Sequence, residues 1–157
     1  MRIDTLLAAA TRQLELAGIE EAALDARLLL QHLTAMSRSD LVLHGNAVLA
    51  PPMVAQYQDL IKRRARRIPL QYLTGVQEFW SLDFAVSPAV LIPRPETEFL
   101  LEQVLATCVH GSISSALDMC TGSGVIAVVL AKELDCAVTA VDLSQEALGV
   151  AAGNVVW

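Results

Sequence analysis

Residues 116–124 read Ala116-Leu117-Asp118-Met119-Cys120-Thr121-Gly122-Ser123-Gly124. The apolar run Ser115–Met119 enters this stretch, and Val125–Leu134, with helix-forming composition, leaves it. A strand, a glycine-containing turn and the first turn of a helix are therefore expected. A second apolar run, Ala137–Val141, follows, and Ser144 is placed to begin another helix. Strand, helix, strand with both strands apolar throughout predicts a βαβ unit of a parallel sheet. In open α/β sheets the crevice beyond the carboxyl ends of the strands is where ligands bind. Gly122 and Gly124 let the backbone turn sharply and approach a ligand without a Cβ in the way. Asp142 lies 20 residues beyond Gly122, at the end of the next strand, where a carboxylate can accept both hydroxyls of an adenosine ribose. The plainer alternative is a simple βα turn with a solvated Asp at each strand end.

Gly122-Ser123-Gly124-Val125-Ile126-Ala127 also satisfies the G-x-G-x-x-A dinucleotide pattern, in which the helix N-terminus would hold a pyrophosphate. Asp118 weighs against that reading. An acid just before the glycines repels a pyrophosphate but suits the cationic amino group of S-adenosylmethionine.

Outward from the turn, the composition changes along the chain. The 157 residues carry a net charge of -6 and are 54% hydrophobic, enough apolar material to exclude intrinsic disorder. Residues 1–75 hold nine basic and seven acidic residues, 9 − 7 = +2, whereas residues 76–157 hold two against ten, 2 − 10 = −8. Two modules with different partners is the natural reading. Neither uncharged stretch, Gln103–Leu117 or Met119–Ala131, reaches the ~18–20 residues a membrane span needs. Asp4 and Arg12 bracket only a short apolar run, which excludes a secretory signal, so a cytoplasmic location is expected. Cys108, Cys120 and Cys136 form no C-x-x-C pair and read as reduced thiols. His32, His44 and His110 share no ligand spacing, and no metal is expected.

The first module reads as all helix. Asp4 is placed to cap a helix bearing Leu6, Leu7, Ala10, Leu14 and Ala17 on one face, which Gly18 ends. Leu24, Leu28 and Leu29 continue the pattern on a second helix. Ser37-x-x-Asp40 is a capping box for a short third helix closed by Gly45, and Pro51 and Pro52 open a fourth. That fourth helix runs into Lys62, Arg63, Arg64, Arg66 and Arg67. These are read as cations complementing its C-terminal dipole, or alternatively as a docking face for an acidic partner or ribosomal RNA. From Ile68 the pattern shifts to β-prone runs, Val76–Trp80 and Leu82–Val86, around Ser81, which predict a hairpin. Tyr72, Phe79 and Trp80 read as core of the hairpin and linker, with a substrate-contacting aromatic as the alternative. Pro95 opens a further helix with Leu100, Leu101, Val104, Leu105 and Cys108 on one face and Gly111 at its end.

Leu117-Asp118-Met-Cys-Thr-Gly122-Ser-Gly124, Ala-Val-Asp142-Leu-Ser, Pro69-Leu-Gln-Tyr-Leu-Thr-Gly75 and Leu91-Ile-Pro-Arg-Pro-Glu-Thr-Glu98 together resemble the release-factor glutamine N5-methyltransferase family (HemK/PrmC). The resemblance covers the whole chain. It implies an α + α/β fold: an N-terminal helical bundle for substrate recognition over 1–68, a β-hairpin linker over 69–94, and over 95–157 the start of a Rossmann-like class I methyltransferase domain, truncated at Trp157. It also implies methylation of the glutamine amide in the Gly-Gly-Gln motif of peptide-chain release factors, with S-adenosyl-L-methionine as cofactor. The implied cofactor-binding residues are Asp118, Cys120, Thr121, Gly122, Ser123, Gly124 and Asp142. Members usually carry Gly where this chain has Cys120, so a positive φ there would mean strain. The family's Asn-Pro-Pro-Tyr motif, which binds the substrate amide, does not occur in these residues, and Ala50-Pro51-Pro52-Met53 is no substitute. No catalytic residue is therefore assigned, and the chain alone is expected to be inactive. Two other classes remain: a non-catalytic protein-interaction module, and an amino-methyltransferase acting on nucleic acid. The −8 balance of the second module argues against phosphate binding, so no direct nucleic-acid contact is expected.

Overall fold

A computed structural model describes residues 1–108 and 112–155. The expected helix stop at Gly111, and His110, lie outside them. The chain divides into two compact units, Met1–Thr74 and Gly75–Trp157.

The first unit is built from α1 (Ile3–Leu16), α2 (Ala22–Thr34), α3 (Arg38–Leu43), α4 (Pro51–Ala65) and α5 (Leu70–Thr74). Helices α1, α2 and α4 pack against one another, with α5 on α2 and α4. On α1 the buried residues Ile3, Leu6, Ala10 and Leu14 recur at helical spacing, and Gly18 follows the helix at φ +69°. Asp4 is not its cap. It lies within the first turn, where Arg2 holds its carboxylate, and the chain enters the helix through the Ile3 N–H bonded to Ala47 O at 3.0 Å. On α2 the core face is Ala22, Asp25, Ala26, Leu29 and Leu30, so Leu24 and Leu28, expected inside, are only half-buried. The capping box is formed: Ser37 accepts from the Asp40 N–H, and Asp40 accepts from the Ser37 N–H at 2.9 Å. Tyr57 on α4 is fully buried and donates its hydroxyl to Ala26 O at 2.8 Å, so burying the ring leaves no polar atom unpaired. The Pro69–Gly75 stretch forms the short α5, which periodicity did not suggest.

The second unit holds an antiparallel hairpin, β1 (Val76–Phe79) and β2 (Leu82–Ala85), then α6 (Pro95–Thr107), β3 (Ser115–Met119), α7 (Val125–Leu134), β4 (Ala137–Val141) and α8 (Gln145–Asn154). The hairpin turn is Trp80-Ser81, both residues left-handed at φ +55° and +56° without a glycine. Trp80 thus belongs to the turn, not the strand. Its N–H donates to Glu98 Oε1 at 2.6 Å and its indole N–H to Glu133 Oε1 at 3.0 Å, contacts from α6 and α7 that hold a turn normally made by Asn-Gly. Phe79, Phe84, Leu101, Val125, Val129, Leu130 and Leu134 form one core, with Phe79 and Phe84 edge to face at 6.1 Å. Leu100 was expected on this face but is exposed, because the inward stripe of α6 runs through Leu101, Val104, Leu105 and Cys108.

Strands β3 and β4 pair in parallel, Ser115 opposite Ala137 through Met119 opposite Val141, with α7 as the crossover. Among the described residues one face of this pair is covered and the other is open. Ala116, Asp118, Val138 and Ala140 lie beneath α7, whereas Leu117, Met119 and Val141 on the other face are exposed. Among the described residues no helix is long and apolar enough to cross a membrane.

Candidate functional site

The turn between β3 and α7 is held by side chains at both strand ends. Asp118, the penultimate residue of β3, is 7% exposed and accepts the Thr121 hydroxyl at 2.6 Å. The Thr121 N–H donates to Val141 O at 3.0 Å, which ties the turn to the end of β4. Asp142, just past β4, accepts the Gly122 N–H on Oδ2 at 2.9 Å and the Ser144 N–H on Oδ1 at 3.0 Å. Those bonds, from Ser144 first and Gly122 next, hold its carboxyl below the ordinary carboxylate value. Asp142 therefore stays an acceptor-only anion well into the acid range. Asp118 is not the solvated strand end that a plain turn would leave, and Asp142 is a structural staple as well as a candidate ligand group.

The two glycines have different jobs. Gly122, at φ +56°, has open space where a Cβ would sit, so the backbone there is free to meet a ligand. Gly124, at φ +81°, caps α7, and an added Cβ would lie 3.1 Å from Ala151 Cβ and 3.3 Å from its Cα. Its missing side chain is what lets α8 approach this closely. Cys120 is exposed at φ +62°, the left-handed conformation that its replacement of a glycine put in question. Thr121 and Ser123 are buried. The open edge of the turn is thus formed by Cys120, Gly122 and Asp142, with Asp118, Thr121, Ser123 and Gly124 behind it.

One residue of this neighbourhood escaped the sequence reading. Asn154, 3% exposed in the last turn of α8, donates to Ser123 O at 2.9 Å. The signal lay in the spacing of Ala147, Ala151 and Asn154, which puts a polar residue on the buried face of a helix. The basic run lies in the first unit and is less uniform than its sequence. Arg64 pairs with the buried Asp25 of α2 at 2.6 Å, while Lys62, Arg63, Arg66 and Arg67 are exposed.

Comparison with known proteins adds to this geometry. A family profile described as the PrmC N-terminal domain matches residues 5–75. The Release factor glutamine methyltransferase of Vibrio cholerae is 43% identical over 155 residues, 97% of this chain and 53% of the relative. That of Koribacter versatilis is 44% identical over 98% of this chain and 55% of its own length. The chain belongs to the release factor glutamine methyltransferase family. It spans about half the length of the curated relatives it matches. The Escherichia coli Release factor glutamine methyltransferase is 44% identical over 131 residues, 83% of this chain. For a methyltransferase family, the β3–α7 turn and Asp142 occupy the part of a parallel α/β unit where a ligand is expected.

Proposed function

We propose that the turn at residues 120–124, with Asp118 and Asp142, is the S-adenosylmethionine half of a protein-glutamine methyltransferase site, and that the protein methylates the amide of the Gly-Gly-Gln glutamine in peptide-chain release factors. The observation that carries this reading is the turn's construction. A glycine with open space before it lies between two strand-end carboxylates, with its N–H bonded to the second of them. That pair of acceptors suits a ligand with a cationic end and a diol, and it suits a pyrophosphate poorly.

Asp142 would accept the ribose hydroxyls on lone pairs not used by Gly122 and Ser144, and its depressed pKa keeps it ionised for that task. Asp118, behind the open edge with Oδ2 on Thr121, would place its negative charge where it attracts the ammonium group. The cofactor supplies a methyl group on a positively charged sulfur, an electrophile that needs little acid–base help. The difficulty lies with the nucleophile, because an amide nitrogen's lone pair is delocalised into the carbonyl. Hydrogen-bond acceptors on the NH₂ and close alignment must do the work. In the family these acceptors come from Asn-Pro-Pro-Tyr, which residues 1–157 do not contain. Ala50-Pro51-Pro52-Met53 enters α4 in the helical unit. We therefore assign cofactor binding to these residues and docking of the release factor, a cytoplasmic protein, to the helical unit.

Titration calorimetry with S-adenosylhomocysteine tests the reading. Saturable 1:1 binding, abolished or weakened by Asp142→Ala and unaffected by Glu78→Gln on the hairpin, supports it. Equal binding of NAD and of S-adenosylhomocysteine would return the turn to a dinucleotide site.

A further inference from the structure

We infer that Asn154 is a positioning residue for the candidate cofactor turn, a side-chain tether through which α8 and the hairpin set the turn's backbone. The inference rests on the reading of residues 120–124 as a cofactor site. Asn154 uses both ends of its amide. Oδ1 accepts the Ala85 N–H at 2.8 Å, and Nδ2 donates to Ala85 O at 3.0 Å and to Ser123 O at 2.9 Å. Gly75 and Val86 are bonded across the hairpin, and Gln77 faces Phe84, so Ala85 sits opposite Val76 at a position where the ladder makes no bond. Its N–H and C=O point away from β1. The Asn154 amide pairs with both, as a further strand would, while its remaining N–H reaches the turn.

Holding Ser123 O orients the peptide that carries the Gly124 N–H, which donates to Thr121 O at 2.8 Å and closes the turn. The same helix supports that peptide one turn earlier, where Ala151 packs on Gly124. Helix α8 therefore grips the turn at two points, by packing at Gly124 and by hydrogen bonding at Ser123. The strands fix it from the other side through Asp142 and Val141. With the amide removed, the buried carbonyl of Ser123 loses its partner and the peptide is free to rotate, taking the open edge at Gly122 out of register.

The test compares Asn154→Asp with Leu134→Ala in the full 157-residue chain. The carboxylate keeps the bond from the Ala85 N–H but faces two carbonyl oxygens. Leu134→Ala loosens the same unit without touching the turn. At a temperature well below melting, Asn154→Asp is expected to weaken S-adenosylhomocysteine roughly tenfold at neutral pH. Partial recovery is expected as the pH falls and the introduced carboxyl regains a proton to donate, and the unaltered chain should show no such recovery. Leu134→Ala should leave affinity nearly unchanged at comparable loss of stability. Without ligand, amide exchange at Gly122 and Gly124 should accelerate in Asn154→Asp and not in Leu134→Ala. Equal effects of the two substitutions would overturn the tether and leave Asn154 a structural residue. Should Asn154→Asp not fold, the unaltered chain decides: slow exchange of the Asn154 side-chain NH₂ supports the tether, and exchange at solvent rates overturns it. Failure of the unaltered chain to bind S-adenosylhomocysteine would count against the cofactor reading, and the exchange measurements would still decide the tether.

Discussion

Cys120 adopts φ +62°, two residues before Gly122 at +56° and four before Gly124 at +81°. A left-handed conformation costs an L-residue roughly 1–2 kcal/mol, and a glycine there removes the strain while giving back about 0.5–1 kcal/mol of unfolded-state entropy. Cys120→Gly is therefore expected to stabilise the chain by about 0.5 kcal/mol, read from urea unfolding. A loss of stability would show that the thiol makes a contact outweighing its strain. Asp142 carries a pH signature. Its folded pKa is depressed, so its contribution is present above the ordinary carboxylate value of 3.8 and is lost as the pH falls through the lower folded value. Protection of the Gly122 amide should follow that course on acidification and become independent of pH in Asp142→Asn.

At the scale of elements, the basic end of α4 separates into members with different work. Arg64 is withdrawn from the run by Asp25, whose side chain is 7% exposed, and also donates to Ile68 O at 3.3 Å. Removing one partner of a buried pair strands the other charge, so Arg64→Ala should destabilise the helical unit by about 3 kcal/mol. Arg63→Ala and Arg66→Ala should fall within about 0.5 kcal/mol, as exposed positions do. Thermal unfolding of the three variants separates a structural Arg64 from the surface cations that a dipole or docking reading treats alike. Likewise Ser37→Ala, which breaks a formed capping box, should remove about 1 kcal/mol from the same unit.

For the whole molecule, the two units differ in how completely they cover their apolar surface. The helical unit encloses Leu14, Leu29, Leu30, Tyr57 and Ile61 nearly completely. The second presents a two-stranded sheet with one bare face, on which Leu117 is 59% and Met119 69% exposed. Such a face, beside strands without further neighbours among the described residues, recruits other chains. The 157-residue polypeptide is expected to self-associate with rising concentration, and Met119→Glu to reduce that association, by sedimentation velocity. Backbone amides of α1, α2 and α4 should exchange more slowly than those of residues 115–141. Equal protection in a monomeric sample would show the small sheet to be self-sufficient.

The sequence by itself determined the order and type of nearly every element, the capping box at Ser37, the hairpin, the βαβ unit around residues 115–141 and the family to which the chain belongs. These rest on local rules, namely helical and strand periods, caps and turns, and a ligand turn whose glycines and acids are close along the chain. Only tertiary structure decided which face of each element is buried, because an apolar residue such as Leu100, Leu117 or Met119 satisfies a strand or helix pattern on either side. It also decided that Gly124 makes room for α8 while Gly122 faces open space, since that depends on Ala151, 27 residues beyond Gly124. Long-range polar pairs were invisible for the same reason. Asp25 with Arg64, Trp80 with Glu98 and Glu133, and Asn154 with Ala85 and Ser123 form only when separate elements meet, and no spacing along the chain announces them.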